Sequence, residues 1–116
     1  MYPTANRLRK SREIEEVFKR GRYLATPIAI FRFRPNKLPL TRLAIICGTK
    51  VHKRATKRNL IKRRLREALR AELPGIKRGF DIVVSARSAA LLADFPEIKA
   101  EVRTALKRMN LLLPEK

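Results

Sequence analysis

Acidic side chains are scarce in this sequence beside its basic ones. Ten Asp and Glu stand against 29 Lys and Arg in 116 residues, a formal charge of +19. A compact domain so charged repels itself, which points to a polyanionic partner rather than to a surface that is merely soluble. Cysteine is nearly missing as well: Cys47 is the only one, so no disulfide closes within the chain and a reducing compartment suits it. It lies in the apolar run Leu43 to Cys47 and reads as a small buried hydrophobe. There is one histidine, His52, and Asp81, Asp94 and the scattered glutamates show no metal-ligand spacing. That argues against a nuclease whose protein carries the metal and the chemistry. No apolar run approaches the roughly 20 residues of a membrane span, and Met1 to Lys10 holds no apolar segment of the signal-peptide kind. The expectation is a cytoplasmic protein with no membrane partner. Internal repeats and low-complexity blocks are also lacking.

What remains is enough for one domain, residues 1–116, with a normal hydrophobic share of 45% from which to build a core. Residues 1–10 read as a flexible basic arm with a turn at Pro3. Ser11 is placed to cap a short helix that has Glu13, Glu15 and Glu16 near its start and Lys19 and Arg20 at its end. Ile14, Val17 and Phe18 form its apolar stripe, and Gly21 closes it. A short strand at Tyr23–Ala25 precedes the clearest one, Ile28–Arg34, where Ala29, Phe31 and Phe33 point one way and Ile30, Arg32 and Arg34 the other. Arg42–Gly48 is more uniformly apolar, as expected near the middle of a sheet. A long helix over Ala55–Leu73 stops at Pro74-Gly75, a strand rich in β-branched residues covers Phe80–Ala86, and Ser88–Asp94 is a helical turn or a loop. The last helix, from Pro96, carries Ile98, Val102, Ala105, Leu106 and Met109 on one stripe. The order predicts an α/β (α+β) fold, a single αβββαβα domain with helices packed on a mixed sheet.

The long helix carries the partner's signature. On a wheel of about 100° per residue, Ile61, Leu65, Ala68 and Leu69 share one arc, the face for the sheet. Arg58, Asn59, Lys62, Arg63, Arg66 and Arg70 fill the next arc, with Glu67 and Glu72 outside it. A solvated helix relieves such repulsion with acids at i,i+4. Here it is left in place, so phosphates are the natural counter-charge. Arginine grips two phosphate oxygens with its planar fork, and Asn59 can both donate and accept.

The segment Lys53 to Ala68, KRATKRNLIKRRLREA, closely resembles the signature of the bacterial ribonuclease P protein subunit. Arg7-Leu8, Val17-Phe18-Lys19, Gly21, Arg42 to Ile45 and Asp81 to Arg87 agree in order and spacing, so the resemblance spans nearly the whole chain. It implies a protein that joins a large catalytic RNA and helps it remove the 5′ leader from precursor tRNA. The RNA would perform the hydrolysis with bound magnesium, and the protein would hold no cofactor, metal or catalytic residue of its own. By resemblance, Lys50, Lys53, Arg54, Arg58, Asn59, Lys62, Arg63, Arg66 and Arg70 would bind RNA. Phe18, Ile14, Ile30 and Arg32 would line a cleft for the single-stranded leader. The family also implies a left-handed crossover from the 42–48 strand through the helix to the 80–86 strand, against the usual hand. Three positions depart from its pattern. Leu60 stands where an arginine is usual, Thr49-Lys50 keeps one of two lysines, and Ile14 replaces a frequent phenylalanine. The alternative is a ribosomal or other structural RNA-binding protein with no part in cleavage. A DNA-recognition helix fits worse, since a strand and not a short helix precedes the long one.

Overall fold

The computed structural model describes residues 4–114. Helix α1 spans Ser11–Arg20, strands β1, β2 and β3 span Arg22–Ala25, Ala29–Pro35 and Arg42–Ile46, and α2 spans Ala55–Glu72. Strand β4 (Phe80–Ala86), a one-turn α3 (Ala89–Leu92) and α4 (Phe95–Arg108) complete the chain. The four-stranded sheet has the order β1-β2-β4-β3, with β3 parallel to β4 and the other pairs antiparallel.

The sheet is packed on both faces. On one, Phe31, Leu43, Ile82 and Val84 meet Ile61, Leu65 and Leu69 of α2 and Ile98, Val102 and Leu106 of α4, all buried in a single core. The alternation expected in β2 holds: Ala29 and Phe31 are buried on this side, while Ile30, Arg32 and Arg34 are half-buried on the other. There a smaller cluster joins Leu8, Val17, Ala44 and Val83, with Ile14 and Ile46 against it.

That second cluster explains two departures from the sequence reading. Strand β3 lies at the sheet edge, not near its middle. Its uniform apolarity reflects cover on both faces, since Leu43 faces α2 while Ala44 faces Leu8 and Val17. The N-terminal segment is not a loose arm from Thr4 onward. Thr4–Asn6 form a 3₁₀ turn, Asn6 Nδ2 donates to the Thr41 carbonyl (2.7 Å) and Leu8 N donates to the Leu43 carbonyl (2.8 Å). Leu8 is 4% exposed, and burying such a side chain is worth roughly 1.5–3 kcal/mol, enough to hold a short segment. The turn expected at Pro3 lies outside the described residues.

The segment so held enters α1 one residue early. Lys10 takes the cap position without a side-chain hydrogen bond, and Ser11 is the first helical residue rather than the cap. Gly21 does end the helix, but with extended backbone (φ −79°), so conformational freedom is not its purpose. A Cβ there would sit 2.5 Å from the Val17 carbonyl oxygen and 2.8 Å from that of Phe33, so closeness of backbone to backbone requires glycine.

An ion-pair network fixes α1 to the sheet. Arg42 of β3 donates to Asp81 of β4 through Nε (2.9 Å) and Nη2 (2.8 Å), and to Glu13 of α1 through Nη2 (2.8 Å). Asn36 Nδ2 donates to the same Asp81 carboxylate at 2.9 Å. The hydrogen bonds from Arg42 to Asp81, foremost, and to Glu13 raise the Arg42 pKa against the opposing effect of burial. Asp81 is 5% exposed, so losing Arg42 strands a buried carboxylate. Arg42→Ala is expected to destabilise the domain by about 3 kcal/mol in urea unfolding; a loss under about 1 kcal/mol would show that the network is peripheral.

Candidate nucleic-acid interface

Helix α2 is rotated as its wheel requires. Ile61, Leu65 and Leu69 are 0% exposed and Ala68 1%, so the adjoining arc must face outward. Asn59, Arg63 and Arg70 are exposed there, and Arg58, Lys62 and Arg66 are half-buried. Six residues of that side, Thr56, Lys57, Asn59, Lys62, Arg63 and Arg66, line an open depression with Leu60 in its wall. Thr56 and Lys57 were not singled out from the sequence. They lie beyond the cationic arc on the wheel, and Leu60 takes its place beside them. Leu60 therefore adds an apolar patch to a basic trough.

The charge arrangement at the start of α2 is unlike that of the other two long helices, α1 and α4. Helix α1 has Glu13 in its first turn, and α4 has Glu97 there with Asp94 accepting from the Glu97 amide (3.0 Å). Both arrangements complement the helix dipole. Helix α2 has no acid in its first turn and no side-chain cap, and Lys53, Arg54, Lys57 and Arg58 crowd the same end. Positive side chains on a positive dipole end are unfavourable alone and favourable around an anion.

Arg58 holds this end together. Its Nη1 donates to the His52 carbonyl (2.9 Å) and the Lys53 carbonyl (2.7 Å), which pins the basic loop onto the helix. His52 Nδ1 accepts from the Arg54 amide at 3.0 Å, giving the sole histidine a local structural part. Lys50, Lys53 and Arg54 stand exposed around that loop. Arg70 differs from the rest of the arc, since its Nη2 meets Glu67 Oε2 at 3.2 Å. Among the described residues, Lys62, Arg63 and Arg66 form no ion pair. Cys47 is buried nearby, and burial pushes its thiol pKa up while Lys62 and Arg58 pull it partly back.

The opposite sheet face carries the second group of candidates. The Arg32 guanidinium lies 4.4 Å from the centre of the Phe18 ring, close enough for cation–π attraction, and its Nη1 reaches Ser85 Oγ at 3.4 Å. Ile30 pairs with Ser85 across the sheet, so Phe18, Arg32 and Ile30 share one surface. Ser85 was not anticipated, because its neighbours are known only once the strand register is. Ile14 is placed differently from the other three. It packs beside Leu8, Val17 and Ala44, and with Arg7, Arg9, Ile46 and Arg66 it lines a depression along the β3 edge. Arg66 lines both this depression and the trough on α2, so the two surfaces meet at that residue.

The chain is similar to known proteins over most of its length. The family model described as Ribonuclease P matches residues 2–110. The ribonuclease P protein component of Dehalococcoides mccartyi is 40% identical over 108 residues, 93% of this chain and 88% of that protein. The solved structure of the Thermotoga maritima RNase P protein superposes with a TM-score of 0.79 at 35% identity, covering 88% of this chain and 96% of that one. The Staphylococcus aureus RNase P protein gives a TM-score of 0.85 at 27% identity, covering 94% of this chain and 99% of that one.

The Arg58 clamp is open to direct test. Arg58→Ala should speed amide exchange across His52 to Lys57 by about tenfold, as expected for two charge-assisted bonds at an exposed site, and leave β2 and β4 unchanged. Unaltered exchange in that loop would mean the two carbonyl bonds do not hold it.

Proposed function

The chain belongs to the Ribonuclease P protein family, and on that premise we propose that it is the RNA-binding subunit that serves a catalytic RNA in removing the 5′ leader from precursor tRNA. The observation that carries this reading is the cationic arc of α2. Lys62, Arg63 and Arg66 stand together without acidic partners among the described residues, beside a helix start that lacks its own counter-charge. A folded RNA supplies phosphates at the density such a surface needs, and its condensed counterions are released on docking.

In this reading α2 and the Lys50 to Arg54 loop dock the ribonuclease P RNA. Asn59 hydrogen-bonds within the contact, and Arg70 contributes less than its neighbours because Glu67 competes for it. The sheet face bearing Phe18, Ile30 and Arg32 receives the leader as an extended single strand. Stacking on Phe18 and the charge of Arg32 bind such a strand without demanding a particular sequence. Ile14 supports that surface from the β3 side rather than stacking on a base. The reaction is hydrolysis of one phosphodiester bond, with magnesium held by the RNA and no protein group in the chemical step. The protein acts by raising local positive charge where two RNAs approach, and it works in the cytoplasm; no helix among the described residues is long and apolar enough to cross a membrane.

Reconstitution tests this directly. The purified protein should cleave no precursor tRNA alone, yet stimulate a bacterial ribonuclease P RNA at low magnesium. Cleavage by RNA-free protein, or no stimulation of any of several such RNAs, would refute it. Lys62→Ala should lower the salt slope of RNA binding by about one phosphate-equivalent.

A further inference from the structure

Tyr23 is 71% exposed, the most open aromatic ring among the described residues, and neither core cluster includes it. It sits in β1, the edge strand opposite β3, in register with Arg32 of β2. Residues directly opposite in an antiparallel pair share a face and stand about 5 Å apart, so Tyr23 emerges beside Arg32 on the surface that bears Phe18. Arg32 in turn lies over the Phe18 ring at 4.4 Å. The three side chains therefore form one row, aromatic, cation, aromatic, from α1 across β2 to the sheet edge. Two positions along β1 on the same face is Ala25, too small to cover the tyrosine. A cross-strand pair with arginine would need no ring left this open, and the fold gains little from burying so little of it.

We propose that Tyr23 is a further binding residue of the cleft, a stacking platform at its outer rim for a leader nucleotide beyond those that meet Phe18 and Arg32. The inference rests on the leader-binding reading of this face and extends it by setting how much single-stranded RNA the face can hold. The ring supplies a π-surface for any base, and the phenol hydroxyl can donate to a phosphate oxygen or a base edge. Preference among precursors would accordingly depend on leader length more than on leader sequence.

The test uses the holoenzyme reconstituted with a bacterial ribonuclease P RNA and a series of precursor tRNAs whose leaders lengthen one nucleotide at a time. Tyr23→Ala should weaken binding of the longer leaders about 5- to 10-fold and leave the shortest as in wild type, while Tyr23→Phe retains most of the affinity. Phe18→Ala should cause its loss at a shorter leader than Tyr23→Ala does. If Phe18→Ala acts and Tyr23→Ala matches wild type at every length, the Tyr23 platform is refuted and the leader reading stands. If neither variant alters the length dependence, the leader reading itself fails and takes the platform with it. A Tyr23→Ala loss equal at all lengths would also overturn the proposal, because it would place the effect on the RNA subunit or on the fold.

Discussion

Ile61, Leu65, Ala68 and Leu69 are sealed against the sheet and α4, and their burial fixes the rotation of α2 about its own axis. Each large member contributes roughly 1.5–3 kcal/mol by leaving water, so no other face of the helix competes for that position. The arc one step round then has no choice but to face solvent, with Lys62, Arg63 and Arg66 adjacent and, among the described residues, without an ion pair. Packing on one side thus imposes electrostatic cost on the other, a cost that the proposed RNA partner would remove. Fold and binding surface are consequences of the same helical period.

The scarce acids are concentrated where they hold the scaffold. Asp81 and Glu13 share Arg42, Glu16 meets both Arg34 (3.1 Å) and Arg20 (3.2 Å), Glu72 meets Arg103 (3.1 Å), and Asp94 caps α4. Two of these contacts, Arg42–Glu13 and Arg34–Glu16, tie α1 to the sheet at two heights. Phe18 belongs to that helix, so its place beside Arg32 follows from ion pairs made two and five residues earlier in it. The acids that might have neutralised the basic surface instead fix the geometry of the other one. Arg66 lines both the trough on α2 and the depression along the β3 edge.

Much of this was legible in the residue order. The 3.6 period of α2, the alternation of Ala29, Phe31 and Phe33, and the α4 stripe each encode burial along one continuous element, and each is found as expected. What was not legible depends on residues far apart in sequence. The edge position of β3 arises because Leu8 and Val17 cover its second face, and nothing local distinguishes that cover from a central place in the sheet. The tying of residues 4–10 follows from Leu8 and Asn6 meeting partners some 35 residues away. Arg58 looks like its cationic neighbours until the loop carbonyls beneath it are known, and Arg70 until Glu67 is seen to turn towards it. The resemblance to the ribonuclease P protein subunit came from a local signature, which is why the family was readable while Tyr23, defined by strand register, was not.

The central claim is that the outward arc of α2 is the face an RNA occupies, and lysine footprinting tests it most directly. The protein would be labelled with an amine-reactive reagent, free and bound to a bacterial ribonuclease P RNA, and each lysine followed by mass spectrometry. Lys50, Lys53, Lys57 and Lys62 should lose reactivity on binding, while Lys99 and Lys107, exposed on α4, should keep it. Protection of the α4 lysines with Lys53, Lys57 and Lys62 left reactive would contradict the account.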